Sequence, residues 1–302
     1  MATGTRKRTR ARGLRRFYRR YYFLIWTVAA LVLLLGAILI IRPMLSSEPE
    51  PDPVEIEDLD TFVYDGWTVR VYPDIPVNTH DADNFYYAED GMISCTANDV
   101  TAQRGIDVSE HNGDIDWEQV AELDLDFVLI RIGNRGNTEG QIYLDEQFEA
   151  NYAGAIDAGL DVGVYFYSQA LTAAEAREEA AFVLQTLDDR KLTCPVVFDW
   201  EDAESEIART VDMTGEEITD VTVAFCRKIE RAGYEPMVYF NKEFGYRMYD
   251  LDAIDEWPFW LADYNDSPRF YYDHAYWQYS DEGILPGIPE KVDLNLRFIR
   301  KT

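Results

Sequence analysis

From Arg104 onward the chain alternates between short apolar runs and segments whose apolar residues recur at helical spacing. Residues 105–108, 127–132, 162–167 and 195–199 read as buried strands, separated by helical patterns over 117–123, 145–158 and 173–187. A longer helical pattern over 216–232 leads to a strand at 236–240. Beyond it the helices thin out, and 257–262, 275–279 and 292–296 read as strands joined mostly by loops. Strands that alternate with helices pair in parallel through crossovers. Eight strands with helices after the first five predict an α/β, TIM-like barrel that dispenses with helices in its last third.

The N-terminal pattern is of another kind. Residues 23–41 carry no charge and are dominated by Leu, Ile, Val and Ala. As a helix rising about 1.5 Å per residue they reach roughly 28 Å, the thickness of a bilayer's hydrocarbon core. Tyr21, Tyr22 and Trp26 sit at one end like an interfacial belt, after a tail in which residues 1–20 hold nine Lys or Arg and no acid. This predicts a basic cytoplasmic tail (1–22), a transmembrane helix (23–41) and everything beyond outside the cell, single-pass in the cell membrane. A cleaved signal peptide is the alternative, but the run exceeds a usual h-region and no clear Ala-x-Ala site follows. Residues 42–60, rich in Pro and acid, read as an extended linker. Residues 61–102 hold short aromatic and β-branched runs around an Asp90-Gly91 turn. They predict a β-rich lead-in that packs on the barrel at 103–302.

Charge sharpens this picture. From Pro43 onward 18 basic residues face all 56 acidic ones, a net charge of −38 that argues against nucleic-acid binding. Three cysteines make no disulfide framework; Cys194 and Cys226 fall in a strand and a helix, where packing is the expected role, and Cys95 has no assigned one. With only His80, His111 and His274 in the chain, a multi-histidine zinc site is not expected.

The chemistry lies at the strand ends. Phe198-Asp199-Trp200-Glu201 places two carboxylates at i and i+2, which share a face of an extended backbone. Like charges held together keep one acid protonated beside an anion, as glycoside cleavage requires. Asp-x-Glu alone is weak in so acidic a chain, and most other acids have bland roles: Asp116 as a helix cap, Glu175 to Glu179 as a solvated helix face. However, Asp107 ends the first barrel strand, Asp263 follows the sixth and Asp293 belongs to the last, so the topology lets these acids converge on one mouth. Tyr165, Tyr167, Tyr239, Trp260, Tyr264, Trp277 and Tyr279 surround the same ends. Core packing explains many strand aromatics, while rings beside a carboxylate cleft suit the faces of sugars.

Taken in order, Gly105-Ile106-Asp107-Val108-Ser109, His111-Asn112-Gly113, Ile115-Asp116-Trp117, Gly163 to Ser168, Phe198-Asp199-Trp200-Glu201, Trp277-Gln278-Tyr279 and Val292-Asp293-Leu294-Asn295 resemble glycoside hydrolase family 25. These are the Chalaropsis-type lysozymes, β-1,4-N-acetylmuramidases acting on peptidoglycan, and the likeness spans roughly 103–298. The resemblance implies a (β/α)5(β)3 barrel, retention of configuration, and no metal or cofactor. It implies Glu201 as general acid/base and Asp199 as the partner that orients the substrate's own 2-acetamido group as nucleophile, with Asp107 and Asp293 lining the cleft. One departure is Arg131-Ile132-Gly133-Asn134-Arg135-Gly136, where many members carry a Lys and a Ser-Glu-Gly or Thr-Glu-Gly-like turn. It points to Arg131 and Arg135 as contacts for acidic parts of a substrate.

Three functions compete on these residues. The first is a membrane-anchored muramidase working on peptidoglycan outside the cell. A non-catalytic peptidoglycan-binding module on the same fold is the second, and the third is a metal-dependent hydrolase that uses the acids as oxygen ligands.

Overall fold

The computed structural model describes residues 60–203 and 205–301. The basic tail, the apolar stretch 23–41 and the linker up to residue 59 lie outside the described residues, among which no helix is long and apolar enough to cross a membrane. The chain divides into two compact units. Of the first, residues 63–68 are described: they carry the turn Asp65-Gly66, both at positive φ, between strands β1 (Thr61–Tyr64) and β2 (Trp67–Arg70).

The second unit holds the remaining described residues. Strands β3 (Phe85–Tyr87) and β4 (Ile93–Cys95) form the hairpin expected of Asp90-Gly91. Gly91 takes φ +81°, and Asp90 accepts a hydrogen bond from the Met92 N–H at 3.1 Å, the local bonding that makes such a turn.

The barrel opens with β5 (Val100–Val108), which starts inside the segment expected to be lead-in. It continues through helix α1 (Trp117–Val120), β6 (Phe127–Arg135), the short β7 (Ile142–Leu144), α2 (Phe148–Asp157), β8 (Asp161–Ser168), α3 (Ala173–Leu187), β9 (Val196–Trp200), α4 (Gly215–Arg231), β10 (Pro236–Asn241) and α5 (Lys242–Arg247). No α-helix intervenes among β11 (Phe259–Ala262), β12 (Tyr276–Gly283) and β13 (Val292–Arg300). The eight barrel strands pair in the order β5-β6-β8-β9-β10-β11-β12-β13, and β13 returns to β5 to close the sheet. All are parallel except β13, which is antiparallel to both neighbours. Its connection from β12, residues 284–291, is too short for a crossover, so the strand must come back in the opposite sense.

Caps start the helices where polar side chains reach free N–H groups: Asp116 for α1, Thr172 for α3, and a Thr214/Glu217 capping box for α4. Inside the barrel, Phe127, Leu129, Val197, Met237, Trp260 and Tyr276 pack as one apolar cluster. Gly163 is needed there: a Cβ on it would lie 2.7 Å from Leu129 Cδ2, Cys194 Cβ and the Pro195 carbonyl oxygen.

The lead-in packs on the outer wall. Val77 bridges Tyr272, the Asn78 N–H donates to Tyr271 O at 2.8 Å, and the Phe85 ring stands edge-on to Trp277 at 5.4 Å. The acidic stretch of α3 departs from the sequence expectation. Glu179 is fully buried, accepting bonds from Arg135 Nε and the Ser168 hydroxyl at 2.6 Å each, because α3 turns it toward the sheet rather than to solvent.

Candidate active site

Parallel strands bring their C-terminal ends to one mouth of the barrel, and there the acids meet. Asp107 is next to last in β5, Asp199 next to last in β9, and Glu201 follows β9 directly. Because β13 runs backwards, its first residues reach the same mouth, and Asp293 pairs in register with Asp107. The four carboxyls line a cleft of about 700 Å³ together with Tyr165, Tyr167, Tyr239, Trp260, Tyr264 and Arg131. Register explains the neighbours of Asp199: Tyr167 lies beside it on β8 and Tyr239 on β10.

Trp277 and Tyr279 are not in the cleft. Side chains alternate along β12, so Tyr276 and Gln278 face the interior while Trp277 and Tyr279 face outward beneath the lead-in. Trp277 Nε1 donates to Asp263 O at 2.8 Å, and the Tyr279 hydroxyl accepts from the Ile93 N–H at 3.3 Å. Asp263 does not line the cleft either. Its carboxylate closes a turn, accepting from the Arg269 N–H at 2.8 Å and Asn265 Nδ2 at 2.5 Å, with Lys242 Nζ 3.5 Å away.

A polar network that sequence reasoning missed organises the cleft floor. Gln278 Nε2 donates to Asp107 at 2.9 Å and to Asp293 at 3.4 Å, while its Oε1 accepts from the hydroxyls of Tyr239 at 3.1 Å and Tyr264 at 3.0 Å. Asn295 Nδ2 donates to Asp107 at 2.7 Å, and Trp260 Nε1 fixes Asn295 through its Oδ1 at 2.8 Å. Period two in the Trp-Gln-Tyr and Asp-Leu-Asn motifs carried the signal, since Gln278 shares the face of Tyr276 and Asn295 that of Asp293.

Burial dominates the electrostatics. It holds Asp199 well above the ordinary carboxylate range, with Glu201 and Asp107 adding repulsion and Arg131 opposing it. Burial also raises Asp107, against the bonds from Gln278 and Asn295, and pushes Asp293 up to about 9 with the help of the Asp107 charge. Neighbouring acids that cannot both ionise share a proton. The donors converge on Asp107, so Asp107 holds the anion and Asp293 the proton. Asp199 Oδ1 is buried and has no hydrogen-bond partner among the described residues.

Arg131 lines the cleft with its guanidinium anchored by Asp145 at 2.7 Å and Glu110 at 2.9 Å. Arg135 lines the cleft as well, and its donors are taken up by Glu179, Glu178 and the carbonyls of Gly140 and Glu175. Among the described residues no group of three or more His, Cys, Asp or Glu side chains is arranged to hold a metal ion.

An eight-stranded α/β barrel with paired carboxyls and aromatic walls at its C-terminal mouth is the architecture of a glycosidase. The family model for glycosyl hydrolases family 25 matches residues 106–288, and the chain belongs to that family. Asp293 lies just beyond the matched stretch. The chain is 28% identical over 193 residues to the autolytic lysozyme of Clostridium acetobutylicum, a match that takes in 64% of this chain and 55% of that protein. Two solved structures share the fold. The modular autolysin LytC from Streptococcus pneumoniae has a TM-score of 0.59 at 21% identity, covering 80% of this chain and 58% of that one. A family 25 glycosyl hydrolase from Bacillus anthracis has a TM-score of 0.55 at 22% identity, covering 65% and 88%. The chain thus spans little more than half the length of the autolytic lysozyme it matches.

Proposed function

We propose that this chain is a lysozyme that hydrolyses the β-1,4 bond between N-acetylmuramic acid and N-acetylglucosamine in peptidoglycan, with retention of configuration. The observation that carries the reading is the carboxyl pair at the end of β9: a buried Asp199 with an unpartnered oxygen, two residues from the less buried Glu201 at the cleft wall. Glu201 is the general acid/base that delivers a proton to the leaving O4. Asp199 accepts the N–H of the substrate's 2-acetamido group through its free oxygen and so aims the acetamido oxygen at the anomeric carbon.

Binding also sets the proton. Burial favours the neutral form of Asp199. An amide N–H donated to Asp199 stabilises its anion, the form needed beside a Glu201 that donates the proton. The anionic Asp199 then opposes the positive charge that develops on the ring and acetamide. Tyr165, Tyr167, Tyr239, Trp260 and Tyr264 supply the sugar-facing wall. Residues 23–41 anchor the enzyme in the membrane with the barrel outside the cell, the basic tail being held on the cytoplasmic side.

The test is mass spectrometry of soluble products after purified peptidoglycan is incubated with the full-length chain, and in parallel with Glu201→Gln. Muropeptides ending in reducing N-acetylmuramic acid, formed about 10²–10⁴-fold more slowly by the variant, are expected. Wall binding without any released product, by a folded chain, would identify a non-catalytic binding module instead. Products that vanish with chelator and return with Mg²⁺ would promote the metal-dependent alternative.

A further inference from the structure

A second pocket lies at the opposite end of the barrel from the cleft, where β5 begins, β12 is about to begin and β13 is ending. About 230 Å³ in volume, it is lined by His80, Val100, Asp273, His274, Ala275, Phe298 and Arg300. It thus gathers two of the chain's three histidines from positions 194 residues apart. The lead-in makes this possible. Residues 76–78 run along 271–273 through the Val77–Tyr272 bridge, the Asn78 N–H to Tyr271 O bond and the Asp273 N–H to Pro76 O bond, the last two at 2.8 Å. Asn78 Oδ1 then caps the His80 N–H at 2.8 Å and turns that residue into the pocket wall.

Three observations define what the pocket lacks. Nε2 of His80 and Nε2 of His274 are both buried, and neither has a hydrogen-bond partner among the described residues. His274 is only 3% exposed, and its Nδ1 lies 3.1 Å from Tyr272 O, which can only accept, so Nδ1 carries the proton and Nε2 of the neutral ring is a bare lone pair. A ring nitrogen fixed as an acceptor by a backbone carbonyl on the other side is how proteins prepare histidines for metals. The spacing agrees as well: the ring centroids are 5.4 Å apart. Two imidazoles bound at about 2.0–2.1 Å to one tetrahedral ion hold their centroids roughly 5 Å apart.

We propose that His80 and His274 bind one imidazole-preferring divalent transition-metal cation, of the Zn²⁺ or Cu²⁺ class, which clamps the lead-in to the base of the barrel. The site is a two-imidazole one, with water in the remaining positions. Asp273 supplies the nearest negative charge; its carboxylate is held by Arg300 at 2.8 Å, and that guanidinium is the one cationic group lining the pocket. The cation's role is structural, because it would join the lead-in, through His80, to the base of the barrel, through His274.

Titration calorimetry of the chelator-treated, desalted full-length chain with ZnCl₂ tests this, together with the thermal midpoint and the electron paramagnetic resonance spectrum with one equivalent of Cu²⁺. Expected are one Zn²⁺ per chain, a higher midpoint as for any ligand of the folded state, and coupling of Cu²⁺ to two nitrogens. His80→Gln and His274→Gln should each weaken binding by about tenfold or more. His80→Phe, which keeps an aromatic ring against Phe298, provides a folded control if the polar variants fail to fold. Absence of saturable binding, or binding undiminished in the histidine variants, would overturn the proposal, the second outcome placing the metal among the acids.

Discussion

Replacing Gln278 by Leu is the sharpest test of the cleft floor. The substitution keeps volume and apolar shape but removes both donor and acceptor. Its Nε2 bond to Asp107, at 2.9 Å, goes to an anionic carboxylate, and such charge-assisted bonds are worth about 1.5–3 kcal/mol. Its Oε1 bond from Tyr239 leaves behind a hydroxyl on a side chain only 6% exposed, a desolvation cost of about 1–3 kcal/mol. Tyr264 is 51% exposed and finds water instead, so it adds little. Gln278→Leu should therefore lose about 2.5–6 kcal/mol of a total that is typically about 5–15, leaving a weakened barrel. Urea unfolding at pH 7 measures it. Gln278→Glu supplies the electrostatic arm: a third carboxylate against Asp107 and Asp293 is more damaging at pH 7 and should recover as acid protonates it. A loss under about 1 kcal/mol for Leu, or a Glu variant as stable as the unchanged chain at pH 7, would refute a floor organised by Gln278.

Two further outcomes follow from the same physics. Asp293, with a folded pKa of about 9 against an ordinary 3.8, contributes stability that is fully present below about pH 4 and is lost as pH rises through 9. The thermal midpoint of the native chain minus that of Asp293→Asn should fall steadily across that window, and a difference that grows with pH would contradict the shared proton. Arg135→Met should cost about 3–5 kcal/mol by leaving the buried Glu179 without its cation, and adding Glu179→Leu should restore most of the loss. A double-mutant cycle in urea decides it, since strictly additive losses would mean that the pair does not act as a unit.

The strands were legible because buried β-runs bounded by polar turns are visible without any tertiary knowledge. So was the lack of helices among the last three strands, though not the short α5 after β10, and so were the strand-end acids Asp107, Asp199 and Asp293, whereas Asp263 closes a turn instead. What escaped was parity and partnership. Trp277 and Tyr279 read as sugar platforms by composition, but an outward-facing aromatic covered by a lead-in is as apolar as an inward one, and nothing in β12 itself says which face the lead-in covers. Glu179 read as part of a solvated helix face and Arg135 as a substrate contact, and only the packing of α3 on β6 and β8 shows that they pair with each other. Gln278 and Asn295 were hidden by their ordinariness, since an amide has meaning only once two carboxylates are placed beside it. The two histidines of the basal pocket stand 194 positions apart, and only the antiparallel run of 76–78 along 271–273 brings them together.

The reversed direction of β13 has a consequence for the order in which the molecule comes into being. Asp107 acquires its facing carboxyl, and Asn295 its place beneath both, only when the last strand is laid against the first. A growing chain that has emerged as far as Glu201 already carries the β9 carboxyl pair, yet it has no closed wall around that pair and no donor to hold Asp107. Such contacts between distant parts of the sequence form late because the intervening loop must first be closed. A copy in which β13 has not yet docked therefore holds its acids with neither a closed wall nor the Asn295 donor beneath Asp107.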